Sequence, residues 1–291
     1  MDITTYLVSV FCVIDDFMAG KQIRQRGTAP RLWDSEVLTM EVVGEFLGID
    51  TDSGQYAYFR AHFGAFFPAL LSVHRTTYAR QGANLWQVKQ RLLAHVSSLV
   101  QYDPRLSLVD SVPMPVCRFA RAYRCKRLPG VAAYGRDEVA KQTYFGLRAH
   151  VRVCWPGVIV ASSLTAANVH DLQALPQLLE GASGDVLADR NYWSPSVRDE
   201  LARSNISLLA PFRSARRQKQ AWPHCLTNMR RRIETVFSQL VERFHIKRVW
   251  ARDAWHCLSR WLRKLLSHSF AVYFCQRLDL HSLAFAQLIS L

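Results

Sequence analysis

The chain lacks paired cysteines. Its seven, Cys12, Cys117, Cys125, Cys154, Cys225, Cys257 and Cys275, form no CxxC motif and are odd in number. That excludes a disulfide framework and reads as reduced, mostly buried thiols. His224 beside Cys225 is half of a zinc site with no second pair at a finger-like spacing, so a zinc finger is excluded too. A membrane span and a secretory leader are also missing. The apolar start, Thr5 to Ile14, has no basic leader and stops at Asp15-Asp16, and the apolar run Leu265 to Cys275 is broken by Ser267, His268 and Ser269. The expected location is the cytoplasm. No repeat or low-complexity tract is present.

Acid is in short supply. There are 23 Asp and Glu against 37 Lys and Arg, a formal net charge of +14. A surplus of this size fits a polyanionic partner, because cations that neutralise phosphates release condensed counterions. The 291 residues are 49% hydrophobic, enough for one large domain or two modest ones.

Residues 1–100 read as helical. Asp34 or Ser35 caps a helix whose apolar positions run from Val37 to Leu47, with Gly48 as its stop. Aromatic residues crowd 55–72, and helical spacing returns from Leu85 to Leu99. Core packing accounts for most of these side chains.

After Asp103-Pro104 the pattern changes. Leu106 to Asp110 is a short strand ending in a carboxylate, followed by a loop carrying Arg118, Arg121, Arg124, Lys126 and Arg127. The next strand alternates: Phe145, Leu147, Ala149, Val151, Val153 and Trp155 on one face, and Gly146, Arg148, His150 and Arg152 on the other. A turn at Pro156-Gly157 leads into a third strand from Val158. A helix from Asp171 with Pro176 inside it, a strand 185–189, a helix 194–204, a strand 206–211 and a helix from about Leu226 to Phe244 complete the series. Such an order predicts an α/β fold: a mixed sheet flanked by helices, behind an N-terminal helical domain. The expected division is 1–100 and 101–291, with the C-terminal helices in the second part.

Two carboxylates close apolar strands, Asp110 and Asp189, and the ends of strands in α/β folds are where rigid functional groups are presented. If the strands are neighbours, both side chains reach one site. Glu234 borders the packed face of the last helix, with Arg230 and Arg231 one turn away. Each feature alone has a bland explanation: a loop-starting Asp, a surface ion pair. Together they supply what phosphodiester cleavage needs, which is hard oxygen donors for two divalent cations and cations for the DNA backbone.

The same residues carry a family likeness. Leu108-Val109-Asp110-Ser111, the stretch Leu164 to Asp171, Val186 to Tyr192, and Arg231 to Leu240 resemble the DDE transposases of the IS4-like superfamily, and most of all the IS982 family of bacterial insertion sequences. The N-terminal half also resembles that family, at Leu38 to Gly48 and Val73 to Gln81. The resemblance implies a ribonuclease-H-like catalytic core with a triad of Asp110, Asp189 and Glu234. It implies Mg²⁺ or Mn²⁺, two ions, as cofactor. The implied reaction is nicking at the element's ends and attack of the freed 3′-hydroxyl on target DNA. Implied partners are double-stranded DNA, both terminal inverted repeats and target, and further copies of the chain in a synaptic complex. The helical N-terminal region then recognises the element's ends. Arg230 fits the superfamily signature around the Glu, whereas Thr227 stands where a Tyr is expected and Val241 where a Lys is expected. Asn168, His170 and Asp171 match a motif that orders the loop after the third strand. Arg148, Arg190, Arg213, Arg216, Arg217, Lys219, Arg230 and Arg231 are the expected DNA contacts. The alternatives are a nuclease of the same core that does not join ends, and a DNA-binding remnant without catalysis.

Overall fold

The computed structural model of the chain describes residues 1–21, 23, 28–212, 222–249 and 251–289. It divides into two compact units, Met1–Val100 with Leu240–Leu291, and Gln101–Gln239. The C-terminal helix therefore groups with the N-terminal helices, where the sequence reading had placed it with the sheet.

The first unit is helical: α1 (Ile3–Met18), α2 (Asp34–Phe46), α3 (Asp52–His62), α4 (Arg75–Asn84), α5 (Trp86–Ser98) and the long α9 (Ala254–Arg277). The reason for the grouping is α9 itself. It packs on α2, α4 and α5, and from Trp261 to Val272 every residue is buried. A helix that is enclosed all round needs neighbours on every side, which a helix on a sheet face does not have. It carries its charges inside with counter-charges supplied by the N-terminal helices. Arg263 Nε lies 2.5 Å from Glu45 Oε1, and its Nη1 lies 2.5 Å from Asp52 Oδ1. Lys264 Nζ lies 2.6 Å from Glu45 Oε2, and Lys89 Nζ lies 2.5 Å from Glu41 Oε2. Remaining donors find carbonyls: Arg263 Nη2 donates to Asp50 O, Lys264 to Phe244 O and Lys89 to Gly82 O. Asp253 starts α9 by accepting from the His256 backbone N–H, the usual work of an N-cap carboxylate.

The second unit holds a six-stranded mixed sheet: β1 (Asp103–Pro115), β2 (Ala133–Asp137), β3 (Gln142–Trp155), β4 (Val158–Ala166), β5 (Gly184–Leu187) and β6 (Ile206–Leu209). The order is β2-β3-β1-β5-β6, with β4 also paired to β3. The first four strands are joined antiparallel, while β1–β5 and β5–β6 are parallel. Helices α6 (Asp171–Leu178), α7 (Pro195–Arg203) and α8 (His224–Glu242) complete the unit, α8 running on into the helical one at Leu240. The mixed sheet flanked by helices is the one the strand order predicts, and its arrangement is ribonuclease-H-like, as the family resemblance implied.

Burial on the two sheet faces follows the strand alternation. Val109, Val186, Ala188, Ile206 and Leu208 face a cluster with Leu175, Leu179 and Tyr192. Leu108, Asp110 and Leu187 have the opposite parity and face the other way. β5 can lie against β1 because of Gly184. Its φ of +79° suits glycine, and a Cβ there would stand 2.4 Å from the Arg105 carbonyl oxygen.

Two sequence expectations need correcting. β1 does not stop at Asp110; it runs to Pro115, because antiparallel pairing with β3 continues from Ser107 to Pro115. The polar face of β3 is largely enclosed. His150 is fully buried and Arg152 nearly so, since α6 packs over β3 and β4. The seven cysteines are free thiols, but only Cys154, Cys257 and Cys275 are buried, so the expectation of mostly buried thiols holds for a minority.

Candidate active site

The parallel pairing of β1 and β5 fixes the site. Its last matched pair is Leu108 with Leu187. Two residues further on each strand come Asp110 and Asp189. Extending the register by two residues puts them at neighbouring positions just past the pairing, and the charge of Asp189 acts on Asp110. Asp110 is thus at the end of the β5 pairing although it sits within β1. β5 has ended, and the backbone after it turns: Asp189 caps a short helical turn, its Oδ1 accepting from the Asn191 N–H at 2.8 Å and its Oδ2 from Asn191 Nδ2 at 3.2 Å. Asp110 Oδ1 accepts the Ser111 N–H at 2.8 Å.

Both carboxyls are half-buried at the side-chain scale and poorly hydrated. Burial, then the negative charge of Asp189, push Asp110 up to about 7. Burial raises Asp189 as well, against the Asn191 N–H that favours its charged form. The Arg230 guanidinium pulls both down. Arg230 therefore stands on the carboxylate face. Four residues on along α8, Glu234 lies one turn away on the same side of the helix. Arg232 covers Trp155 at 4.9 Å from the ring centroid, and Trp155 shares the β3 parity of Val151, the partner of Asp110. Ile233 and Val236 of α8 are buried.

Glu234 itself is exposed. Among the described residues no group of three or more His, Cys, Asp or Glu side chains is arranged to hold a metal ion. The structure brings Asp110 and Asp189 together and leaves Glu234 outside that pair. The pair's chemistry nonetheless suits a hard divalent cation: two desolvated oxygen donors of like charge whose repulsion a cation would relieve.

Asp171 forms a second centre behind the pair. At the start of α6 and 4% exposed, it accepts from Arg148 Nη1 through both oxygens, at 3.0 and 3.1 Å, and from Ser111 Oγ at 2.9 Å. Arg148 Nη2 donates to the Arg136 carbonyl. Arg148, expected to face a phosphate backbone, is instead engaged inside the protein. His150 Nδ1 is 3.7 Å from Asp171, but burial pushes its imidazole down to about 4, so at neutral pH it is an uncharged neighbour whose Nε2 pairs with Thr165 Oγ1 at 2.8 Å. Ser111 links the two centres, because it follows Asp110 and its hydroxyl is bound to Asp171. Sequence reasoning did not single it out; its position directly after the strand carboxylate was the available signal.

The other expected residues are placed as follows. His170 caps α6, its Nδ1 accepting from the Leu172 N–H, and Asn168 is exposed just before it. Arg190 and Arg231 are exposed and Arg230 is half-buried. Arg213, Arg216, Arg217 and Lys219 lie outside the described residues.

A mixed ribonuclease-H-like sheet with two aspartates just past the end of its β1–β5 parallel pairing is the arrangement of a nucleotidyl-transfer enzyme. The family model for the transposase DDE domain matches residues 102–253, just over half of the chain. The chain belongs to that family. No solved structure matches it. No helix among the described residues is long and apolar enough to cross a membrane.

Proposed function

We propose that this chain is a DNA transposase of the IS982 type, which nicks DNA at the ends of an insertion sequence and then joins the freed 3′-hydroxyl to target DNA. The observation that carries the reading is the register-matched pair Asp110 and Asp189 beside Arg230, in a member of the transposase DDE family. Asp110, Asp189 and Glu234 are the metal-holding carboxylates. Glu234 completes the set by a change of side-chain rotamer on α8, whose Arg230 already faces the pair. A divalent cation of the Mg²⁺ or Mn²⁺ kind, probed as two ions, supplies polarisation of the scissile phosphate and an activated water.

The chain's own residues do the rest. The sheet holds Asp110 and Asp189 rigid, and Asn191 fixes the orientation of Asp189. Asp171 and Ser111 anchor the β1 backbone behind Asp110, with Arg148 neutralising Asp171. Arg190, Arg230 and Arg231 offer positive charge to the backbone of the bound strand, and the unplaced tract Arg213, Arg216, Arg217 and Lys219 is assigned the same task. Residues 1–100 recognise the terminal inverted repeats, and the active form is a synaptic oligomer working in the cytoplasm.

The test is a strand-transfer assay with labelled element ends, Mg²⁺ and a target plasmid. Joined products support transposition, and nicks alone reduce the reading to a nuclease. Asp189→Asn and Glu234→Gln are each expected to bind DNA and to cut at least roughly 10³-fold more slowly. Wild-type cutting by Glu234→Gln removes that residue from the triad.

A further inference from the structure

We infer that the connection between β1 and β2 is a separate DNA-contacting surface, built for a strand whose bases are unstacked. From Val112 to Arg136 the chain has five arginines, one lysine and no Asp or Glu. Its centre is a 3₁₀ turn, Phe119–Arg124. Such a helix has three residues per turn, so side chains three apart eclipse. Arg121 and Arg124 therefore form one ridge, their Cα atoms roughly 6 Å apart at about 2 Å of rise per residue, and Arg118 stands at the extended N-cap position directly before it. All three are exposed. That repeat is of the order of the spacing between neighbouring phosphates on one strand.

Aromatic faces stand beside the ridge. Tyr123 is 78% exposed, Phe119 55% and Tyr134 49%. Phe119 and Tyr134 meet with ring centroids 6.4 Å apart, and Tyr134 rests on Phe145 at 5.1 Å. Arg124 lies over Tyr123 at 5.6 Å. Three large exposed rings on one basic connection, two of them in contact, are out of place on a surface that needs only solubility. Exposed rings interleaved with arginines are what single-stranded nucleic acid uses, stacking bases on the rings and tracking phosphates with the cations. The platform is also firmly seated: Ala122 and Leu128 are buried beneath it, and Arg127 Nη1 donates to the Val116 carbonyl at 3.1 Å.

Its place suits the catalytic pair. β1 leads from Asp110 to Pro115 and then into the ridge, and five strand residues span roughly 17 Å. A strand whose scissile phosphate lies at the aspartates reaches the ridge within a few nucleotides. The surface thus takes the unpaired nucleotides next to the cut. This extends the transposase reading, but it depends only on nucleic-acid binding and not on cutting.

The experiment measures binding of the full chain to fluorescein-labelled oligothymidine and to a duplex of equal length, across a salt series. Replacing Arg118, Arg121 and Arg124 together by Ala is expected to weaken oligothymidine binding at least roughly tenfold at moderate salt. It should also reduce the slope of log K against log salt by about 2, at about 0.7 per cation. The triple Lys variant should keep the slope, which separates charge from folding. Tyr123→Ala with Tyr134→Ala should weaken oligothymidine binding about tenfold or more with the slope unchanged, and should leave duplex binding within about twofold. Wild-type affinity and slope in the triple Ala variant overturn the surface. Equal losses on strand and duplex in the tyrosine variant overturn its preference for unstacked bases. An effect confined to self-association makes it a protein interface and overturns the inference. Persistent cutting by Asp189→Asn would instead end the catalytic assignment and leave this surface standing.

Discussion

The two units bury charge in opposite ways. In the helical unit every buried cation of α9 and α5 meets a carboxylate: Arg263 with Glu45 and Asp52, Lys264 with Glu45, Lys89 with Glu41. In the sheet unit, two carboxylates, Asp110 and Asp189, are placed next to each other, with a half-buried arginine as partial relief. The first arrangement is satisfied by the fold alone. The second is costly when both groups are ionised, and a proton held on Asp110 relieves it. The contrast teaches where to look for chemistry: where buried charge is left unbalanced rather than where it is most abundant.

The comparison can be broken by substitution. The largest effect is expected from Arg263→Met, which takes from the buried Glu45 and Asp52 a shared cation and leaves Glu45 to Lys264 and Asp52 to Arg260. It should destabilise the protein by about 3–5 kcal/mol, read from urea denaturation of the full chain; a loss below about 1 kcal/mol would mean that the network is not integral. Next comes Asp110→Asn, with the opposite sign. Because the folded protein holds this proton more tightly than the unfolded chain, stability falls as pH rises from the ordinary carboxylate range of 3.8 through about 7. Without added metal, the Asn variant should therefore be more stable than wild type at pH 8, by on the order of 2 kcal/mol, and equal to it near pH 4. Added Mg²⁺ should raise the melting temperature of wild type and leave that of the variant unchanged. Equal pH profiles for the two proteins would remove the charge conflict from Asp110. The smallest expected effects come from single neutral or capping contacts. Ser111→Ala deletes one hydrogen bond to Asp171 and should cost about 1 kcal/mol, while slowing cutting more than this loss of stability explains if β1 is anchored through it. Asp253→Ala removes the α9 cap and should cost about 1 kcal/mol with cutting unchanged.

Much of this was legible in the sequence, unevenly. Helix α2 was readable because its signals are local, namely acid in the first turn, helical spacing and a Gly48 that tolerates positive φ, but its cap is Trp33, one residue before the expected Asp34 or Ser35, with Glu36 accepting the Trp33 N–H. The long β3 was readable from its alternation, but the environment of its polar side chains was not. Alternation says that Arg148 and His150 share a face, and only α6 packing over that face makes them interior residues. β2 escaped notice because Ala-Tyr-Gly-Arg-Asp has no apolar period; it is a strand through pairing with β3. Asp110 and Asp189 were singled out as strand-end carboxylates, and their adjacency depends on the β1–β5 register, a non-local fact. The link from α9 to the N-terminal helices was equally invisible, since nothing near Arg263 names Glu45, over two hundred residues earlier, as its partner.

The discontinuous make-up of the helical unit sets an order on synthesis. A ribosome delivers Glu41, Glu45 and Asp52 long before Arg263 and Lys264, and the whole of Gln101–Gln239 emerges in between. Until α9 arrives, Glu45 lacks the cations that meet it in the finished fold, Glu41 has Lys89, and the apolar seat of α9 stands open. A polypeptide released prematurely after Gln239 would carry the complete sheet beside an unclosed bundle, exposed to proteases. The helical unit thus closes only when its last helix has been made.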